Sequence, residues 1–192
     1  EGVAVHRDGS IWCGTETGDL LRLTADGGSV ERMAGTDGFL LGIAFDGAGN
    51  CFACDLRHAT IFRWDAATAR MERFASSGVR VPNYPIVDEA RGWLYVSDSV
   101  GEDNRSGIFR YDLKTGEGGL WCREAMSFAN GMAMAPDGNG LYVVESNAPC
   151  ISHVPILADG TAGARQVVVE SVHNVPDGVA FAPDGSLVIS CY

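Results

Sequence analysis

Glu1, Asn130 and Asp177 each stand directly before a glycine that opens the same short apolar phrase, in EGVAV, NGMAM and DGVAF. Asn83 holds the same register before YPIV, and Leu41 holds it before GIAF. Brought to one place, Glu1, Asn83, Asn130 and Asp177 offer two carboxylates and two amides, an all-oxygen set. Such a set suits a hard divalent cation such as Ca²⁺ or Mg²⁺ better than a thiophilic one. A single Asn or Asp before glycine is an ordinary turn signal. Polar residues at the same place in successive phrases, with Leu41 the one apolar exception, ask for more than a turn. Two carboxylates gathered without a cation would repel each other, and a bound metal satisfies them.

Residues so far apart in sequence meet only if the chain repeats. Aligned on their lead positions, the phrases begin at 1, 41, 83, 130 and 177, with steps of 40, 42, 47 and 47 residues. Each unit runs through a turn (RDGS, GAGN, ARG, PDGNG, PDGS) into a second apolar strand (IWCGTE, CFACD, WLYVSD, LYVVE, LVISC). A third strand (LLRLTADG, IFRWDAAT, IFRYDLKTG, ISHVPILADG) and a fourth (SVERMA, RMERFA, GGLWC, ARQVVVE) complete most units. Four short strands at a period of about 40–50 residues are the signature of β-propeller blades. The expected fold is all-β, a single domain over 1–192 made of four-stranded antiparallel blades. The chain supplies about four and a half blades, and a sixfold ring would need further sequence to close it. The first strand of a blade lines the central channel, so the lead residues converge at one channel mouth, with glycine after them allowing close backbone approach.

Composition agrees. The chain has 192 residues, 46% hydrophobic and 20% charged, which is enough apolar matter for a packed core. Its 25 glycines, many in DG or NG pairs, mark tight turns. A formal net charge of −11 argues against nucleic acid or an anionic membrane as partner, and tolerates a cation. No apolar run approaches the roughly 18 residues that cross a bilayer. The six cysteines lie in strand-like segments, and Cys51 and Cys54 would point to opposite faces of one strand, so they read as buried free thiols of a reducing cytoplasm rather than a zinc or redox pair.

Taken together, the EG start, the NGMAMAPDG unit and the PDGVAFAPDGSLVISCY ending resemble the family of senescence marker protein (regucalcin), gluconolactonase and luciferin-regenerating enzyme. The resemblance covers the whole chain. It implies a six-bladed propeller with one divalent metal in its channel, Ca²⁺ first, with Mg²⁺, Mn²⁺ or Zn²⁺ as alternatives. It also implies metal ligation by Glu1, Asn130 and Asp177, with Asp177 as general base of lactone hydrolysis, and a substrate-orienting Asn83. The expected activity is metal-dependent hydrolysis of a small lactone or related ester. A non-catalytic metal-containing binding propeller, and a carbon–nitrogen bond-forming lyase of the strictosidine-synthase sort, are the alternatives.

Other residues complete the reading. The loop GEDNRSG is an insertion between second and third strands that would cap the substrate mouth, placing Glu102 against substrate. Glu16, Asp98 and Glu145, near the ends of second strands, read as acceptors for turn backbone rather than as a second polar ring. His173 and Asn174 would line the channel behind the metal ligands. The four histidines share no zinc spacing, and no GxSxG elbow occurs.

One departure from the family bears on substrate. Sugar-lactone hydrolases of this kind carry an arginine two residues before the substrate-facing asparagine, where this chain has Val81, and Arg80 would point the other way along an extended segment. Without a guanidinium to grip hydroxyls, an aliphatic or aromatic lactone should be turned over with a higher kcat/KM than gluconolactone. Preference for gluconolactone in a side-by-side assay would refute this expectation.

Overall fold

The computed structural model describes residues 2–75, 78–100 and 106–192, without the side chains of 123 and 125. No helix occurs among them. The first sheet is a meander of β1 (Val3–Val5), β2 (Ile11–Gly14), β3 (Asp19–Leu23) and β4 (Val30–Gly35). The second holds β5 (Leu40–Phe45), β6 (Cys51–Asp55), β7 (Thr60–Asp65) and β8 (Arg70–Ala75). The third holds β9 (Pro82–Asp88), β10 (Trp93–Asp98), β11 (Ser106–Asp112) and β12 (Gly118–Met126). The fourth holds β13 (Ala129–Met134), β14 (Gly140–Glu145), β15 (Cys150–Pro155) and β16 (Gln166–Val169), and β17 (Pro176–Phe181) pairs with β18 (Leu187–Cys191). All neighbouring strands are antiparallel, as the repeat requires.

The turns explain why the chain reverses where it does. In RDGS and PDGS the glycine, Gly9 or Gly185, takes a φ of 84°, a left-handed conformation that costs glycine nothing. The preceding aspartate closes the turn. Asp8 Oδ1 accepts the Ser10 N–H at 2.9 Å, and Asp184 Oδ1 accepts the Ser186 N–H at 2.9 Å.

The sheets then stack face to face. Trp12, Leu20, Ile43, Ala53 and Trp64 fill the space between first and second sheets. Phe52, Ile61, Leu94, Val96 and Tyr111 fill the next, and Tyr95, Ile108, Met132, Leu141 and Val154 the one after. Strand alternation does the sorting. In β10, Leu94 and Val96 face the second sheet while Tyr95 faces the fourth. Sheets covered on both faces therefore carry continuous apolar runs, whereas β4, β8 and β16 are largely exposed and polar or mixed. Val3 and Val5 of the first sheet and Val188 of the last are exposed. Cys51, Cys54, Cys122 and Cys150 are buried free thiols, as expected, and burial pushes all four up from the ordinary thiol range, whereas Cys13 is half-buried and Cys191, in the last strand, is exposed.

Second strands end in buried carboxylates that hold the entry of their own sheet. Asp55 accepts the Phe39 N–H at 3.4 Å and the Thr36 hydroxyl at 2.6 Å. Asp98 accepts the N–H of Val81 at 2.7 Å and of Arg80 at 3.4 Å, and Glu145 accepts the Ser127 N–H at 2.8 Å. Asp98 and Glu145 thus bind turn backbone as the sequence suggested. Glu16 does not belong to this set: it is exposed, and pairing of Val3 with Cys13 and of Ile43 with Ala53 makes Thr15 the counterpart of Asp55. Burial raises the Asp98 carboxyl above its usual range, while the Val81 and Arg80 N–H groups pull it back.

Asp98→Ala should therefore lower unfolding free energy by about 1–3 kcal/mol for each backbone donor left buried without a partner. The exposed Glu31→Ala should cost about 0.5 kcal/mol or less. Urea titration of both variants at neutral pH makes the comparison, and equal losses would show that Asp98 is not a clamp.

Candidate functional site

The lead residues sit in β-bulges. Opposite β6, the register passes from Leu40–Asp55 to Ile43–Ala53, so Leu41 and Gly42 share one partner, Cys54. The same extra residue occurs in β9, where Asn83 and Tyr84 face Ser97, in β13, where Asn130 and Gly131 face Val144, and in β17, where Asp177 and Gly178 face Ser190. A bulge breaks the strict in–out alternation and re-aims a side chain along the strand edge. Two of the opposing residues are serines that satisfy the bulge backbone. Ser97 Oγ accepts the Tyr84 N–H at 3.0 Å, and Ser190 Oγ accepts the Gly178 N–H at 2.9 Å.

The first strands pack backbone against backbone. The Gly2 N–H donates to Leu41 O at 3.0 Å. A Cβ on Gly2 would lie 2.5 Å from the Gly42 Cα, one on Gly42 2.6 Å from Asn83 O, and one on Gly131 2.6 Å from Asp177 O. The glycine after the lead residue has the role the sequence assigned to it.

Asn83, Tyr84, Asn130 and Asp177 line one cleft of about 280 Å³, together with Gly2, Gly42 and Gly131. Asn83 and Asn130 are buried, and Asp177 is half-buried. Hydrogen bonds fix the orientation of Asn130. The Ser146 hydroxyl donates to Pro176 O at 2.7 Å, so its oxygen is an acceptor toward Asn130 Nδ2 at 3.0 Å. The same Nδ2 donates to Asp177 Oδ1 at 2.9 Å. With its nitrogen committed on both sides, the Asn130 amide keeps Oδ1 as its acceptor. Asp177 keeps Oδ2. These two oxygens, on adjacent first strands, fit a hard cation by donor type. Around them, Ser97 Oγ donates to Asn130 O at 2.8 Å and Ser99 Oγ to Ala129 O at 2.8 Å. Burial raises the Tyr84 phenol, which stays protonated near neutrality.

Of the residues expected to hold metal or substrate, the structure brings Asn83, Asn130 and Asp177 together. Glu1 and Glu102 lie outside the described residues. Among the described residues no group of three or more His, Cys, Asp or Glu gathers, and the cluster at the cleft contains only one such residue, Asp177. Leu41 turns into the core between the second and third sheets. His173 and Asn174 are exposed and do not line the cleft. They sit in the loop entering β17, where Asn174 takes a φ of 60°. Tyr84, Ser97, Ser146 and Ser190 were not foreseen. The phrases SDS and VES carried a signal for one of them, since a serine follows the clamp carboxylate in both.

A family match falls on the half of the chain that carries most of this cluster. Residues 98–192 match the model of an SMP-30/Gluconolactonase/LRE-like region. This region contains Asn130, Ser146 and Asp177, and Asn83 precedes it. No curated protein matches the sequence. Among solved structures, a gluconolactonase from Xanthomonas campestris, described as important in glucose secondary metabolic pathways, superposes with a TM-score of 0.84 at 20% identity, over 100% of this chain and 69% of that one. A structure of a putative gluconolactonase gives 0.81 at 17%, over 100% of this chain and 71% of that one. A chain from a nidogen/laminin complex gives 0.82 at 18%, over 99% and 71%. At these identities the likeness is one of fold.

Within the matched residues 98–192, Gly131 is the position where a single carbon tests the packing. Gly131→Ala places a methyl against Asp177 O and the Gly178 Cα at 2.6 and 2.7 Å, and backbone cannot rotate away as a side chain can. Overpacking of this kind costs about 1–3 kcal/mol. The expected result is a lowered melting temperature, with a larger loss than for Gly119→Ala, where a Cβ meets nothing within 4 Å. Equal melting temperatures for the two variants would contradict this close approach.

Proposed function

We propose that the chain is a divalent-metal-dependent hydrolase of a lactone or related ester, within a six-bladed propeller of which these sheets form about four and a half blades. The observation that carries this reading is the Asn130–Asp177 pair at the cleft, oriented so that one amide oxygen and one carboxylate oxygen remain for a ligand. The SMP-30/gluconolactonase/LRE-like match over the same residues supports the reaction class. Exposed apolar residues on the first and last sheets, Val3, Val5 and Val188, support further blades.

Asn130 and Asp177, with Glu1, would hold the ion, Ca²⁺ in the first instance. Such an ion supplies Lewis-acid polarisation of a carbonyl and neutralises developing negative charge. The protein groups do the rest. Asn83, buried at the cleft wall, orients the substrate by its amide. The Asp177 carboxylate accepts a proton from water as the water oxygen bonds to the carbonyl carbon. The ring C–O bond then breaks, and the proton passes to the departing alkoxide, leaving a hydroxy acid.

The nidogen/laminin likeness supports a second reading, a propeller used for binding, since one fold hosts both uses. Hydrolysis of a lactone and ester panel, abolished by chelator and restored by Ca²⁺, Mg²⁺, Mn²⁺ or Zn²⁺, separates the two. Asp177→Asn should then lose about 10²–10⁴-fold in kcat even at saturating metal, because an amide oxygen still coordinates but accepts no proton. Asn130→Ala keeps the base, so added metal should recover much of its rate. Full recovery of Asp177→Asn by metal would reduce Asp177 to a ligand.

A further inference from the structure

Two second strands end in a carboxylate followed by serine, Asp98–Ser99 and Glu145–Ser146, and each serine reaches across to the first strand of the next sheet. Ser99 Oγ donates to Ala129 O at 2.8 Å, one residue before Asn130. Ser146 Oγ donates to Pro176 O at 2.7 Å, one residue before Asp177. Both serines are buried, 2% and 5% exposed. They are the same strut used twice, with one difference. Ser146 also accepts from the Asn130 side chain at 3.0 Å, whereas among the described residues Ser99 makes no hydrogen bond to a lead side chain.

We infer that Ser146 is a positioning residue, which fixes which end of the Asn130 amide faces the cleft and ties that choice to the placement of Asp177. The amide of asparagine is nearly symmetric in shape and opposite in polarity at its two ends. A half-turn about its last torsion exchanges an acceptor for a donor at the cleft. Ser146 decides the matter because its only proton is spent on Pro176 O, leaving an oxygen that repels Asn130 Oδ1 and attracts Nδ2. Asp177 Oδ1, 2.9 Å from the same nitrogen, reinforces the choice. The one hydroxyl therefore connects three things: the amide of one sheet, the strand that follows it, and the carboxylate that strand carries. Asp177 alone would favour the same amide face, and Ser146 adds to this by tying the entry of its strand to the fourth sheet through Pro176 O. This assignment rests on the proposed role of Asn130 and Asp177 as oxygen ligands of a divalent cation.

The test compares Ser146→Ala, Ser146→Thr and Ser99→Ala in the whole chain, reading Ca²⁺ affinity by titration calorimetry. In parallel, the Asn130 side-chain amide signals are read in nitrogen–proton correlation spectra of metal-free protein. Loss of an outer group that orients a metal ligand typically costs about 10–100-fold in affinity. Ser146→Ala should weaken Ca²⁺ by that factor, Ser146→Thr should restore most of it through the retained hydroxyl, and Ser99→Ala should weaken it far less while losing comparable thermal stability. The Asn130 amide protons should exchange faster with solvent in Ser146→Ala than in the wild type. Equal Ca²⁺ affinities in Ser146→Ala and Ser99→Ala would reduce Ser146 to a strut and overturn the inference. If wild-type protein binds no Ca²⁺, the metal reading falls, and the amide signals decide alone: unchanged exchange in Ser146→Ala overturns the positioning role, and faster exchange sustains it. Should Ser146→Thr fail to fold, the contrast between the two alanine variants carries the same decision.

Discussion

At Gly2, Gly42 and Gly131 the first strands of neighbouring sheets meet backbone to backbone, and this contact governs the arrangement around the cleft. A Cβ at Gly2, Gly42 or Gly131 would stand within 2.6 Å of the neighbouring strand's backbone. Strands this close bring their lead residues within hydrogen-bonding range, which is why Asn130 and Asp177, 47 residues apart, touch at 2.9 Å. Wider spacing would leave the same residue types as separate turn ornaments. The site is a by-product of how tightly the inner strands are laid together, and glycine sets that tightness.

Close approach of backbone creates a polar problem that the interior solves with small hydroxyls and carboxylates. Each entering strand brings N–H and C=O groups that the sheet ladder does not reach, and an unpaired buried group is costly. Asp55, Asp98 and Glu145 collect the N–H groups of their own sheet's entry, while Ser97, Ser99 and Ser146 give protons to carbonyls of the next sheet. Glu145 is further held by Arg165, whose Nη2 lies 2.5 Å from Oε1. These three carboxylates thus tie within a sheet, and the protons of these three serines tie between sheets.

Much of this was legible in the sequence, because the repeat is written in register. The phrases beginning at 41, 83, 130 and 177 gave the strands, the turns and the convergence of Asn83, Asn130 and Asp177, since period and turn chemistry are local properties. What was not legible depends on geometry that no local pattern encodes. A one-residue bulge cannot be seen in a phrase whose apolar rhythm continues through it, so Tyr84 and the roles of Ser97 and Ser190 were missed. Glu16 was placed one residue out of register because TET resembles SDS and VES in composition, yet Thr15 is the residue that pairs with the others. His173 and Asn174 sit close to Asp177 in sequence, but the loop carrying them turns to solvent before the strand begins.

The bulge has a bearing on how such a site changes over generations. Leu41, Asn83, Asn130 and Asp177 occupy the same kink, and the surrounding ladder accepts all of them: the leucine folds into the core, while both asparagines and the aspartate face the cleft. Because the kinked residue stands outside the in–out alternation, its identity is insulated from the pairing that holds the sheet together. The scaffold behaves as a rack of seats built alike, three of which offer a polar group to the mouth while the fourth is spent on the core.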